Sequence, residues 1–176
     1  MKLGLAKQLL ASDPAVVESM LDELRSDAQE TLTQLRELAH GIYPPLLIDR
    51  GLGEALRAAA NRAVLPTQIH ATVDRFGAEI EAAVYFCCLE AMQNAGKHAG
   101  GDACIEITVD RVDGQLVFEV ADDGIGFDLD SRAAKGHGFV NMADRLGAIG
   151  GRVDVESSPG NGTSVRGRIP IELAEE

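Results

Sequence analysis

From Val17 onward, apolar positions recur at alternating steps of four and three: Val17, Leu21, Leu24, Ala28, Thr31, Leu35, Leu38 and Ile42. This is a heptad seam, the spacing that packs one helix against others in a left-handed supercoil. The opposite face carries Glu18, Asp22, Glu23, Arg25, Glu30 and Arg36. Ser12-Asp13-Pro14 supplies a helix start, with Asp13 placed to cap and Pro14 in the first turn, where no N–H partner is needed. Pro44-Pro45 ends the helix. Leu3, Leu5, Leu9 and Leu10 predict the last turns of an earlier helix. Residues 1–45 therefore read as a helical hairpin whose front is missing.

Beyond the prolines the period changes. Residues 46–53 read as a linker anchored by Leu46, Leu47 and Leu52, with Gly51 and Gly53 as hinges. Leu52, Ala55, Leu56, Ala59, Ala60 and Ala63 then predict a helix near 53–64. Ile69, Ala71 and Val73 alternate as a strand, and 77–98 reads as a long helix with Ile80, Val84, Cys87, Cys88 and Ala91 on its apolar face. Two alternating strands, Ile105-Ile107-Val109 and Leu116-Phe118-Val120, are joined by Asp113-Gly114, a hairpin turn pair. A glycine-rich stretch covers 122–138. A short helix at about 139–149 stops at Gly150-Gly151, and two last strands, Val153-Val155 and Ser164–Ile171, flank the turn residues Pro159, Gly160, Asn161 and Gly162.

Composition narrows the function classes. A chain of 176 residues with 45% hydrophobic content can bury a core without disulfides or a metal. Its 16 basic and 28 acidic residues give a net charge of −12, which disfavours direct nucleic-acid binding. Any phosphate must be held locally, by backbone N–H groups, a few lysines or a bridging cation. Cys87, Cys88 and Cys104 match no zinc or redox spacing and are expected as small buried side chains in a reducing compartment. No apolar run spans a bilayer and no signal peptide is visible, so a cytoplasmic chain is expected, one that can still be part of a membrane-anchored parent.

Four constellations could carry chemistry. Glu90, Asn94, Lys97 and His98 share one face of the long helix, a stripe able to hold a hard cation and polyphosphate or, equally, a solvated polar surface. Asp122-Asp123-Gly124-Ile125-Gly126 follows a strand directly. Its carboxylate can accept a hydrogen bond from an exocyclic amine while the glycines admit a flat ligand; the plainer alternative is a glycine turn. Lys135-Gly136-His137-Gly138 opens a helix, presenting N–H groups to phosphate, or is a loop with a helix start. Gly160-Asn161-Gly162-Thr163 precedes the last strand; Thr163 could aid base recognition or simply begin a hairpin strand.

Together and in this order, the four elements resemble the ATP-binding domains shared by histidine kinases, DNA gyrase, heat-shock chaperone ATPases and mismatch-repair ATPases. Glu90–His98 looks like the N box, Asp122–Gly126 the G1 box and Gly136–Gly138 the G2 box, with Gly162-Thr163 as the final turn. "EAMQNAGKHA", "DDGIGFD", "GHGFVNMADRLGAIGG" and the helix ending "LRELAHGIYPPLLIDRGLGEAL" are similar to the sensor kinases partnered with NarL-type response regulators. The resemblance covers nearly the whole chain. It implies an α+β fold: a two-layer α/β sandwich with helices on one face of a mixed, mostly antiparallel sheet, preceded by a truncated helical hairpin.

The same resemblance implies site roles and partners. Asn94 would hold Mg²⁺ through its side-chain oxygen, Lys97 and His98 would face the phosphates, and Glu90 would position or polarise the attacking group. Asp122 would bind the adenine amine, Gly124 and Gly126 would give the backbone room, Gly136 and Gly138 would lie on the phosphate side, and Thr163 would support the base. It further implies residues 1–45 as a partial dimerising hairpin, 46–64 as linker and first catalytic helix, and 65–176 as the ATP-binding domain. The expected activity is transfer of the ATP γ-phosphoryl group to a histidine outside this chain and thence to a response regulator, with homodimerisation through the hairpin. The phosphoacceptor pattern of the subgroup is absent: His40 lies beside the proline break and His70 in a strand. Two other readings remain: a serine kinase of the anti-sigma-factor type, against which the heptad helix argues, and a non-catalytic nucleotide-sensing dimerisation module.

Overall fold

The computed structural model describes residues 16–17, 44–129 and 137–171. The heptad helix beyond Val17, the preceding leucine-rich turns, His40, Lys135 and Gly136 lie outside the described residues. The chain divides into two compact units, residues 1–43 and residues 44–176. In the second unit the order is α1 (Pro45–Arg50), α2 (Leu52–Ala60), β1 (Thr67–Ala71), α3 (Ala78–His98), β2 (Ile105–Val112), β3 (Gln115–Asp122), α4 (His137–Gly147), β4 (Arg152–Ser157) and β5 (Thr163–Pro170).

The five strands form one sheet in the order β1-β2-β3-β5-β4. β1 pairs with β2 in parallel and every other pairing is antiparallel. The alternation in the sequence decides which face is covered. Ile105, Ile107 and Val109 of β2, Leu116, Phe118 and Val120 of β3, and Val165 and Ile169 of β5 are buried. Between them, Glu106, Thr108, Glu119, Arg166 and Arg168 occupy the other face, which stays wet. On that face Arg166 Nη2 donates to Glu119 Oε2 at 2.8 Å and the Ser164 hydroxyl donates to Glu119 Oε1 at 2.7 Å. The helices layer over the apolar face, giving the expected two-layer α+β sandwich.

The hairpin turn behaves as its sequence predicts: Asp113 (φ 49°) and Gly114 (φ 73°) are both left-handed, the geometry of a type I′ turn. Three expectations need correction. The stretch 46–53 is not a plain linker. Pro44 caps and Pro45 occupies the first helical position of α1, where its fixed φ and missing N–H fit, and Leu47 anchors the turn in the core. Cys104 is exposed, since it precedes β2 instead of facing the helix layer; Cys87 and Cys88 are buried as expected. The first strand is centred earlier than Ile69–Val73, ending at Ala71.

α3 is the central pillar. It buries Ala82, Ala83, Val84, Tyr85, Cys87, Cys88, Ala91, Met92 and Ala95, a wider face than the predicted stripe, because it packs on sheet and helices at once. Its first turn holds the buried carboxylate of Glu81. Arg75 Nε and Nη2 donate to it at 2.9 and 3.1 Å, and the Phe76 N–H donates at 3.0 Å. With those partners the buried charge is compensated, as a lone carboxylate would not be. Arg75 Nη2 also lies 3.5 Å from the Leu47 carbonyl, so this ion pair fastens α1 to the start of α3.

Candidate nucleotide site

The C-terminal end of α3 and the adjoining sheet edge bring most of the sequence-predicted residues into two neighbouring clusters. The first is built on one cross-strand row. Asp122, the last residue of β3, stands opposite Thr163, the first of β5, which stands opposite Ser157, the last of β4. Asp122 Oδ1 accepts the Gly124 N–H at 3.0 Å, an aspartate turn that folds the chain back as the strand ends. Burial pushes the Asp122 carboxyl above its usual range. The N–H groups of Gly124 and Thr163 and the Thr163 hydroxyl oppose that shift, while the neighbouring charge of Asp123 adds to it. Asp123 is otherwise engaged, accepting the Cys104 N–H at 2.6 Å and so tying the loop to the start of β2.

The glycines explain how the loop closes. A Cβ at Gly124 would overlap the backbone and side chain of Ala99, the residue that ends α3, and the Ile125 N–H donates to the Ala99 carbonyl at 2.9 Å. Gly126 is left-handed (φ 58°), and a Cβ there would strike the Ser158 and Gly162 carbonyls. The space these glycines leave is thus taken by protein backbone: the 122–126 loop is pressed onto the end of α3 on one side and onto the 158–162 turn on the other. Phe127 continues the contact, its ring stacked on Phe139 of α4 with centroids 6.2 Å apart.

The second cluster lies where α4 meets α3. Glu90 and Asn94, one turn apart and half-buried, face Gly138 in the first turn of α4. A Cβ at Gly138 would overlap Glu90 Oε1 and sit 3.3 Å from Asn94 Nδ2, so glycine leaves these two side-chain tips where they are and a larger residue would displace them. Lys97 and His98 are exposed in the last turn of α3, where positive charge also complements the helix dipole. Among the described residues no group of three or more His, Cys, Asp and Glu side chains is gathered to hold a metal. The oxygens of Glu90 and Asn94 are hard donors that suit Mg²⁺, an ion that takes few protein ligands and shares substrate phosphates.

Three contributors were not anticipated from the sequence. Ser157 Oγ accepts the Phe127 N–H at 3.0 Å, its hydroxyl donates to the Gly162 carbonyl at 2.9 Å, and it lies 3.1 Å from Thr163 Oγ1. The only hint was its place in "ESSPGNGT", read there as turn chemistry. The Phe127–Phe139 stack and the Arg75–Glu81 pair join residues too far apart in sequence, or too irregularly spaced, for periodicity to reveal.

A sheet covered on one face by helices, with a strand-end aspartate beside a glycine loop and a polar stripe on the central helix, makes a two-layer α/β sandwich with a candidate nucleotide site. Comparison with known proteins gives the family. Residues 79–173 match the histidine kinase-, DNA gyrase B- and HSP90-like ATPase family, and residues 1–47 match a histidine kinase family. The chain belongs to the histidine kinase-, DNA gyrase B- and HSP90-like ATPase family, here preceded by a histidine kinase segment, and its curated relatives are sensor histidine kinases. It is 33% identical over 186 residues to an uncharacterized sensor-like histidine kinase of Chloroflexus aurantiacus, covering 98% of this chain and 31% of that protein. It is 29% identical over 172 residues to the oxygen sensor histidine kinase NreB of Staphylococcus carnosus, covering 94% and 47%. The chain thus spans between about a third and a half of these relatives. In fold it is similar to the histidine kinase domain of the Erythrobacter litoralis EL346 blue-light activated histidine kinase (TM-score 0.59, 22% identity, covering 68% of this chain and 61% of that one). It is also similar to the Acinetobacter baumannii histidine kinase AdeS (TM-score 0.57, 14% identity, 98% and 96%). Among the described residues no helix is long and apolar enough to cross a membrane.

Proposed function

We propose that residues 65–176 are the ATP-binding catalytic domain of a cytoplasmic kinase module, that residues 46–64 connect it, and that residues 1–45 are part of a hairpin through which two copies dimerise. Its reaction is transfer of the ATP γ-phosphoryl group to a histidine outside these 176 residues, and from there to an aspartate-bearing response regulator with a NarL-type output domain. The observation that carries this reading is the half-buried Asp122 carboxylate at the end of β3, backed by Thr163 and set beside the α3 end whose Glu90 and Asn94 lie under Gly138.

The residues divide the work as phosphoryl transfer requires, by positioning and charge neutralisation. Asp122 accepts the exocyclic amine of adenine, and Thr163 supports that contact from β5. Gly124 and Gly126 let the loop lie flat against the base-side wall. Asn94 holds Mg²⁺, which neutralises phosphate charge when bound. Lys97 and His98 reach from the last turn of α3 toward the phosphates, to which the Gly136–Gly138 segment supplies backbone N–H groups. Glu90, held against α4, orients the attacking imidazole and accepts its proton.

The test is transfer of label from radiolabelled ATP, with Mg²⁺, to a histidine-bearing hairpin of the same subgroup supplied in trans. The wild-type chain should label the hairpin. Glu90→Gln should slow transfer about 10²-fold, the scale of a positioned base, and Asn94→Ala should raise the Mg²⁺ concentration that transfer requires. Binding of ATP without any transfer would reduce the chain to a nucleotide-sensing module.

A further inference from the structure

Gly51 ends α1 and precedes α2, and its φ of 81° with ψ of −178° is a conformation that essentially only glycine adopts. Its N–H donates to the Leu47 carbonyl at 3.0 Å and its own carbonyl accepts the Ala55 N–H at 3.2 Å, so both backbone groups are engaged. Leu47 and Leu52 are buried on either side. A Cβ on Gly51 would lie 2.8 Å from Arg75 Cδ and 3.7 Å from Glu81 Oε1, which seats the bend directly on the Arg75–Glu81 pair. Arg75 reaches Glu81 with two nitrogens, at 2.9 and 3.1 Å, and the second of them lies 3.5 Å from the same Leu47 carbonyl. α2 is tied down separately. Arg57 Nη2 donates to the Ala71 carbonyl at 3.1 Å, and a Cβ on Gly53 would stand 3.5 Å from that oxygen.

We infer that the Arg75–Glu81 pair is a conformational lock: it makes α1, α2 and the start of α3 one rigid body, in which Gly51 and Gly53 serve close packing and not pivoting. A buried ion pair adds little net stability over apolar side chains of similar size. What a two-pronged guanidinium–carboxylate contact adds is a single geometry, since the two planar groups fit in few ways. Here that geometry fixes the angle at Gly51. α3 holds Glu81 in its first turn and Glu90 and Asn94 two to three turns further on. A movement of α1 is therefore passed to the helix that bears the candidate site and is not absorbed at the bend. For the proposed kinase, and resting on that reading, α1 is a lever on the catalytic domain.

Pulsed electron resonance on the whole chain tests this, with one spin label on the native, exposed Cys104 before β2 and one on Ile48→Cys in α1, an exposed position. Excess unlabelled chain restricts the signal to distances within one copy. With the pair intact a single narrow distance is expected. Arg75→Met combined with Glu81→Leu removes both charges and strands neither, so it should leave Tm near that of wild type while the narrow distance is lost. Exchange of the Gly51 N–H should speed up about 10- to 100-fold in this double variant, the scale of a hydrogen bond to a charged group, with the β3 amides unchanged. If the double variant does not fold, Arg75→Lys, which keeps the charge without the fork, should broaden the distance part way. A pair that served stability alone would lower Tm and leave the distance narrow. A broad distance with the pair intact would make Gly51 a pivot. Either result overturns the inference, and neither touches ATP binding or transfer, which are measured separately.

Discussion

Gly138→Ala separates the stability of this domain from its chemistry. The added methyl would overlap Glu90 Oε1 and stand 3.3 Å from Asn94 Nδ2. Two small terms then oppose each other. Alanine gains up to about 1 kcal/mol over glycine inside a helix, and less in the first turn where residue 138 sits. The obstructing atom is the tip of a long, half-buried side chain, and moving Glu90 off its rotamer costs about 0.5–1.5 kcal/mol. The sum lies within about 1 kcal/mol of zero, which for a chain of this size keeps Tm within about 4 °C of wild type. Chemistry does not share that tolerance. A carboxylate displaced by about an ångström from its attacking partner loses on the order of 10² in rate. The base contacts should hold, since Asp122 and Thr163 are untouched. The assay is differential scanning calorimetry beside single-turnover transfer to the hairpin in trans. A fall in Tm beyond about 8 °C, twice the expected bound, would show that Glu90 is rigidly held. A transfer rate equal to wild type would show that its position does not matter to the reaction.

Other predictions follow from the same contacts. Gly124→Ala meets the Ala99 backbone, which cannot swing aside, so it should destabilise by about 1–3 kcal/mol in a denaturant melt; a melt like that of wild type would mean the loop can lift off α3. Asp122 has its folded pKa raised, chiefly by burial, so its ionised form subtracts stability once the pH is above that pKa, and the penalty disappears below the unfolded value. Because the ionised form accepts the amine, ATP affinity should fall with pH through this raised pKa relative to Asp122→Asn, whereas parallel profiles would remove Asp122 from the contact. Burial pushes the Cys87 thiol up to about 12 and Cys88 well up, while Cys104 is exposed. Native alkylation at neutral pH followed by mass spectrometry should therefore mark Cys104 alone, and modification of Cys88 before denaturation would contradict the packing of α3.

The sheet was legible because its strands are half wet: Ile105-Ile107-Val109 and Leu116-Phe118-Val120 alternate with polar residues that face solvent, and Asp113-Gly114 marks its turn in two letters. The placement of candidate site residues was legible where one residue type marks a position, as with Asp122 at a strand end or Gly138 at a helix start. What stayed hidden depends on contacts between distant segments. Nothing local tells that Gly124 is pressed by Ala99, that Gly138 leaves room for Glu90, or that Glu81 is buried beneath Arg75. The helix α1 was missed for a different reason: Pro44-Pro45 stops one helix and, by the fixed φ of Pro45, starts the next, and a breaker signal does not say which side it serves.

Calorimetric titration of ATP and of GTP, each with Mg²⁺, into the chain and its Asp122→Asn variant tests the central claim most directly. The account predicts saturable ATP binding, weakened about 10- to 100-fold by Asp122→Asn, the value of a hydrogen bond to a charged group, with GTP weaker than ATP on the wild-type chain. Equal affinity for ATP and GTP, or ATP binding that ignores Asp122→Asn, would contradict it.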